Sequence, residues 1–162
     1  MLLAYASKTG NIKRAITKLL DYIKEISQDP SKQKIAINEL STTKETKYLT
    51  TIETFEIKTG EELIKKNCIL FTYTTGIGEI PQEIDKFIIN NINKIKGVIC
   101  SGNKNWGLNY CKACDLIFEK FNLKTLFKFE LAGNTHDIKT LATKIISCND
   151  ILINSNNNTI QK

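Results

Sequence analysis

Short uninterrupted apolar runs alternate along this chain with longer segments in which apolar residues recur every three or four positions. Runs of the first kind suit strands buried on both faces. Segments of the second kind suit helices that bury one face, and their alternation is the pattern of βαβ units around a parallel sheet. Four runs read as strands: "LLAYA" (2–6), "CILFTY" (68–73), "GVICSG" (97–102) and "TLFKFEL" (125–131). "KIAI" (34–37) reads as a fifth, short and at an edge. Behind the first strand, Ile12, Ala15, Ile16, Leu19, Leu20, Ile23 and Ile26 fall at helical spacing, and Asp29 with Pro30 ends that helix. Comparable stripes are Ile84, Phe87, Ile88 and Ile92 after Pro81; Tyr110, Cys114, Ile117, Phe118 and Phe121; and Ile138, Leu141, Ala142 and Ile145. The pattern predicts an α/β chain of five strands and four helices.

Two stretches are less regular. In residues 38–67, "YLTTIETFEI" alternates weakly and fits an extra strand, a hairpin or a covering loop. The end of the chain, 149–162, closes on "NSNNNTIQK", which is polar and low in complexity and is expected to be disordered. The organisation expected is one domain over 1–148, with 38–67 as an insertion or extended edge. The 162 residues, 41% of them apolar, suffice for one core.

Composition narrows the function classes. No apolar run approaches the roughly 18 residues that span a bilayer, and "MLLAYASKTG" lacks the charged start and apolar middle of a secretory signal. A cytoplasmic protein without membrane contact is expected. Five cysteines, an odd number, read as reduced thiols rather than a disulfide framework. The formal charge of +6 suits an anionic ligand or acidic partner, but the lysines are scattered and form no basic block interleaved with aromatics, so nucleic acid is disfavoured.

In an open parallel sheet, ligands bind beyond the carboxyl ends of the strands, where strand order reverses. Three turns, 6–11, 72–80 and 101–109, each follow a buried run. The first carries Ser7, Thr9, Gly10 and Asn11 at the start of a helix, the parts of a phosphate cradle; read alone, the same residues equally suit a helix cap. It is not a Walker A loop, and Gly76 with Gly78 lacks the third glycine of a dinucleotide fingerprint. Lys13 and Arg14 follow at once, cations on the positive end of a helix, which an anion in front of them would explain. The second turn supplies Tyr73 and two glycines. The third supplies Gly102, Asn103, Gly107 and the single tryptophan, Trp106, a stacking face for a flat ligand.

Cys111 and Cys114 form a C-x-x-C, for which a buried or incidental thiol pair outweighs a redox or metal role. His136 reads as a helix-start residue. No nucleophile–base pair is recognisable and no metal site is expected, so a bound cofactor would have to carry any reaction.

Taken together and in order, "SKTGN" (7–11), "TYTTGIGEIP" (72–81), "GVICSGNKNWGLNYCKACD" (97–115) and "FKFELAGNTHDI" (127–138) resemble a flavodoxin-like flavin mononucleotide (FMN) site, and more narrowly the NrdI family. The resemblance implies a doubly wound five-stranded parallel sheet of order 2-1-3-4-5 with helices on both faces. It implies FMN with its phosphate on Ser7, Lys8, Thr9, Gly10 and Asn11, and Thr72, Tyr73, Thr74 and Thr75 lining ribityl and ring. Gly76, Ile77 and Gly78 would form a mobile loop near flavin N5. Ser101, Gly102, Asn103, Trp106 and Gly107 would close the other side, Asn109 and Tyr110 would reach the ring, and Glu130, Leu131, Ala132 and Gly133 would form a neighbouring strand end.

For function, the resemblance implies a maturation factor whose reduced flavin reacts with O2. The resulting superoxide or related oxidant would serve to assemble the dimanganese-tyrosyl radical cofactor of the class Ib ribonucleotide reductase small subunit, and a separate, unidentified reductant would reload the flavin. The alternatives are an ordinary flavodoxin carrying single electrons, whose members are commonly acidic, and a flavin-free interaction module. Two departures stand out: 38–67 is longer than in compact family members, and Ile77 replaces an aromatic residue found in some relatives.

Overall fold

The apolar runs pair in parallel in the computed structural model, which describes residues 1–29 and 52–157. Strands β1 (Leu2–Tyr5), β2 (Glu53–Glu56), β3 (Cys68–Tyr73), β4 (Ile95–Gly102) and β5 (Thr125–Glu130) form one sheet of order β2-β1-β3-β4-β5. Among the described residues four helices accompany them: α1 (Asn11–Gln28), α2 (Gln82–Asn91), α3 (Lys112–Phe121) and α4 (Thr135–Asn157). None is long and apolar enough to cross a membrane.

Successive side chains of a strand point to opposite faces, so runs with no polar interruption need a core on each side. Leu2, Ala4, Cys68, Leu70, Val98 and Cys100 enter one core with Ile84, Phe87 and Ile88 of α2 and Ala113, Cys114 and Ile117 of α3. Their neighbours Leu3, Tyr5, Ile69, Phe71 and Ile99 enter the other, with Ile12, Ala15, Ile16 and Leu19 of α1 and Ile138, Leu141 and Ile145 of α4. The sheet is thus wound on both faces, as the resemblance implied.

The strand beside β1 lies in the stretch whose pattern was ambiguous. "KIAI" lies outside the described residues, and the place it was expected to take is held by Glu53–Glu56. This edge strand is mostly solvated, and its backbone holds it: Glu53 N–H donates to Met1 O at 3.0 Å and Ile57 N–H to Tyr5 O at 2.7 Å. A strand of such polarity leaves only the weak alternation read in the sequence, where an extra strand is one of three options, with Phe55 alone packing on the core. At the chain end, α4 runs on to Asn157, so part of the 149–162 segment expected to be disordered is helical and the rest lies outside the described residues. Extending an existing helix adds one hydrogen bond per residue without a new nucleus, and Ile151, Leu152 and Ile153 are not helix breakers.

The link from β2 to β3 is pinned to α2 by polar groups. Glu62 accepts from the N–H groups of Lys58 and Thr59 at 2.9 Å each and of Gly60 at 2.8 Å. Partial burial works to raise its pKa, but these donors outweigh it and take the carboxyl down to about 2. Buried Asn91 accepts from Ile64 N–H at 2.9 Å and donates to Glu62 O at 2.8 Å and Phe87 O at 3.0 Å.

Replacing Asn91 by alanine leaves those buried groups unpaired, at a cost of about 1–3 kcal/mol. Thermal denaturation of Asn91→Ala should therefore show a fall of roughly 2–12 °C for a chain of this size. Glu62→Gln should destabilise in a pH-dependent way. The folded-state pKa lies below the ordinary carboxylate value, so the contribution is full above about pH 5 and lost as pH falls towards 2. Denaturant melts at pH 7 and pH 3 should show the gap between wild type and Glu62→Gln narrowing at the lower pH.

Candidate functional site

Strand order reverses between β1 and β3, so the turns leaving these two strands diverge and leave a cleft at the carboxyl edge of the sheet. Its volume is about 210 Å³, below the roughly 300 Å³ at which small-molecule pockets usually begin, so a nucleotide-sized ligand would be only partly enclosed. Ser7, Lys8, Thr9, Asn11 and Ile12 line one end. Tyr73, Thr74, Ser101, Gly102, Asn103, Trp106, Asn109 and Leu131 line the rest.

The first end is the start of α1. Gly10 is its N-cap, at φ 76°, a conformation glycine adopts without strain, and it supplies no capping side chain. The other helices carry carboxylates in their first turns, Glu83 and Asp85 in α2, Asp115 in α3 and Asp137 in α4. In α4, Asn134 and Asp137 cap each other, with both N–H to side-chain oxygen distances at 2.9 Å. The first turn of α1 holds no acidic residue. Ser7 Oγ accepts weakly from Lys13 N–H at 3.3 Å, and Arg14 folds back so that Nη2 donates to Asn11 Oδ1 at 2.6 Å. A Cβ on Gly10 would lie 3.1 Å from Arg14 Nη1. The end of α1 therefore gathers positive charge that no carboxylate of its own first turn answers.

At the other end, Tyr73 donates its hydroxyl to Glu83 Oε1 at 2.7 Å; burial, with this bond, pushes its pKa up and keeps it protonated. Thr74 Oγ1 accepts from Ala113 N–H at 3.1 Å, tying the end of β3 to α3. Asn103 caps the 3-10 turn Lys104–Asn109 through Asn105 N–H at 2.9 Å and so places Trp106, whose ring is 51% exposed. Leu131 N–H donates to Gly102 O at 2.8 Å, and Ser101 Oγ donates to Leu131 O at 2.6 Å.

The remaining expected residues do not line the cleft. Thr72 is fully buried within β3. Thr75, Gly76, Ile77 and Gly78 belong to a turn beside the cleft, closed by two bonds between Thr75 and Glu79 at 3.0 and 2.8 Å. A Cβ on Gly78 would lie 2.9 Å from Asn109 Oδ1, so the second and third turns pack together, with Ile77 88% exposed at the tip. Gly107 faces open space, and Tyr110 packs against the core. Glu130 pairs with Lys104 at 3.5 Å. Gly133 O, with Ala132 O, is held by Lys18 Nζ at 2.9 and 3.3 Å. Ile12, Arg14 and Lys18 were not expected at the site. Arg14 was legible, three residues after Asn11 on a helix; Lys18, 115 residues from Gly133, was not.

The family described as NrdI flavodoxin-like matches residues 3–143. The chain is 35% identical over 143 residues to the SPbeta prophage-derived protein NrdI of Bacillus subtilis (strain 168), covering 88% of this chain and 89% of that one. It is 34% identical over 145 residues to protein NrdI of Macrococcus caseolyticus (strain JCSC5402), covering 90% and 88%. Among solved structures it is similar to oxidised flavodoxin 2 of Bacillus cereus, with a TM-score of 0.56 at 22% identity over 92% of this chain and 97% of that one. Oxidised flavodoxin 1 of the same organism gives 0.52 at 19% identity over 90% and 96%. These two likenesses show the fold.

Behind the cleft wall sit three buried thiols. A Cβ on Gly102 would lie 2.9 Å from both the N and Sγ of Cys111, whose thiol donates to Cys100 O at 3.3 Å. Its bonding to Cys100, with burial, pushes the Cys111 pKa far up; burial does the same for Cys100, and Cys114 is equally enclosed. Burial pushes Cys68 up to about 12. Thiols kept from ionising are poor nucleophiles and poor metal ligands, and no group of three or more ligating side chains is placed to hold a metal among the described residues. A thiol-exchange reagent at pH 7.5 should therefore titrate at most Cys148, the one half-buried cysteine, in the native protein and all five after denaturation. Rapid native labelling of Cys111 or Cys114 would overturn the structural reading of the C-x-x-C.

Proposed function

The chain belongs to the NrdI flavodoxin-like family, and from that premise we propose that its cleft binds FMN and that its reduced form reacts with O2 to supply superoxide or a related oxidant to the dimanganese small subunit of a class Ib ribonucleotide reductase. The observation that carries the flavin reading is one cleft with two chemically different ends. The start of α1 lacks an acidic residue and has Arg14 folded over it, and half-exposed Trp106 lines the same cleft. A phosphate suits the first end and a flat apolar ring the second.

Bound flavin supplies the redox chemistry and the reactivity towards O2. Ser7, Thr9 and Asn11, with the first N–H groups of α1, hold the phosphate by charge-assisted bonds. Trp106 and Leu131 give the ring apolar surface. The turn closed by Thr75 and Glu79, beside the cleft, has glycines at φ 53° and 95°, so its Gly76–Ile77 peptide could reorient and would offer a carbonyl acceptor to a bound ring. Lys8, Lys13 and Arg14, with the formal charge of +6, favour an anionic reduced ring and draw small anions to the cleft. Trp106 and Leu131 line the mouth beside Ile77 and Leu108, which are 88% and 98% exposed; so much solvated apolar surface supports partner contact at this edge.

Apo-protein should quench the fluorescence of added FMN. The Ser7→Ala/Thr9→Ala double variant should weaken FMN by about tenfold or more while leaving riboflavin, which lacks the phosphate, unchanged. No uptake of either flavin would favour a flavin-free module. For the partner, reduced protein, O2 and a manganese-loaded class Ib small subunit should together give a tyrosyl radical by electron paramagnetic resonance. Its absence beside a working control would favour a one-electron carrier.

A further inference from the structure

Leu131 is a bulky residue in a left-handed conformation, φ 50°. Two other non-glycine residues share that region among those described, and each has a local reason. Asn122, at 54°, closes α3, a position that asparagine tolerates. Cys111, at 52°, is fully buried, with its thiol bonded into the core. Leu131 has neither excuse: its side chain is still 44% exposed, so folding recovers little from it. Two residues later Gly133 adopts φ 68°, so the same turn contains a second left-handed position that is filled by the residue suited to it.

The strained residue is held from two directions. From β4, Gly102 O accepts its N–H at 2.8 Å, and the hydroxyl of buried Ser101 donates to its carbonyl at 2.6 Å. From α1, Lys18 Nζ reaches the carbonyls of Ala132 and Gly133 at 3.3 and 2.9 Å. Ser101 and Gly102 line the cleft, as Leu131 itself does beside Trp106. The backbone here asks for glycine or asparagine, the fold gains little from the side chain, and that side chain faces the cleft. What leucine gains must therefore come from whatever the cleft holds.

We propose that Leu131 is an affinity-determining contact for the planar ring of the ligand, with Ser101 and Lys18 as positioning residues that hold it in its strained conformation. The proposal rests on the flavin reading of the cleft and assigns to this residue the apolar ring face, as distinct from the phosphate taken by the start of α1. Contact with the ring alone makes Leu131 indifferent to the phosphate.

The test combines melting of the apo-protein with titrations of FMN and riboflavin, for wild type and for Leu131→Gly, Leu131→Asn and Leu131→Met. Glycine and asparagine relieve the strain and remove the apolar contact, so both apo-variants should melt at or above wild type. They should nevertheless bind both flavins about five- to tenfold more weakly, by the same factor for each, as expected for covering the part of a leucine now in water. Leu131→Met keeps the contact and should stay within about twofold of wild type. Ser101→Ala should weaken both flavins equally and Ser101→Thr should restore them. Wild-type affinity in Leu131→Gly and Leu131→Asn would overturn the proposal, as would a loss confined to FMN or a fall in apo melting temperature that tracks the loss of affinity. Those three results leave the flavin reading standing, because wild type still binds; failure of wild type to bind either flavin would overturn the reading itself.

Discussion

The parallel pairing of Leu2–Tyr5 with Cys68–Phe71 is the constraint on which the working end of the molecule depends. On one side of β1 the chain has placed β2, and on the other it places β3 and then continues outward through β4 and β5. The turns that leave β1 and β3 therefore run to opposite faces of the sheet, and among the described residues a cleft is left between them. The pairing is tightly specified because β1 is buried on both faces. A slip of one residue would exchange Leu2 and Ala4 with Leu3 and Tyr5 between two differently shaped cores. Rigidity below the carboxyl edge is what lets the turns above it carry glycines, left-handed residues and exposed aromatics.

Those turns are not independent of one another. Gly102 is their meeting point: its carbonyl receives Leu131 N–H, and the site of its missing side chain is filled by Cys111 at the start of α3. The third turn reaches the second through Asn109 against Gly78, and the fourth reaches α1 through Lys18. The cleft is thus framed by a series of contacts, open between the first and second turns, in which two members, Leu131 and Cys111, are strained. Cys111 repays its strain by burial, whereas Leu131 keeps 44% of its surface exposed.

How far the sequence discloses all this follows from where apolar burial did the work. The β1, β3 and β4 runs and the stripes of α1 to α4 were legible because each buries a continuous apolar face, and the turns after the strands were legible as the places where those runs break at Gly10, Gly76 and Gly102. β2 was legible only as one of three options for its stretch, because Glu53–Glu56 is held by backbone bonds with its side chains largely in water. Among the expected site residues, Ser7, Thr9, Asn11, Trp106 and Leu131 meet in the cleft. Thr72 does not, for a reason of period: Tyr73 comes to the cleft at the end of β3, and the residue before it points to the opposite face of the sheet. Lys18 was invisible because its partners are carbonyls, which every residue possesses.

The charges at the start of α1 close the argument about what the cleft is for. The end of a helix dipole carries about half a positive charge, and a cation there costs about 0.3–1 kcal/mol at an exposed site. α2, α3 and α4 avoid that cost with their own carboxylates, whereas α1 has Lys13 and Arg14, and Arg14 is drawn further back onto Asn11. In the protein alone this is an unfavourable gathering of like charges at a helix start whose one side-chain acceptor for an N–H group, Ser7 Oγ, is held weakly at 3.3 Å. On the proposed reading, a dianionic phosphate in front of Asn11 would add a favourable partner for the helix dipole, the backbone donors and the guanidinium alike. The flavin reading proposed for the cleft gives the local conflict in the free chain and the strain at Leu131 one explanation, the first by charge and the second by shape.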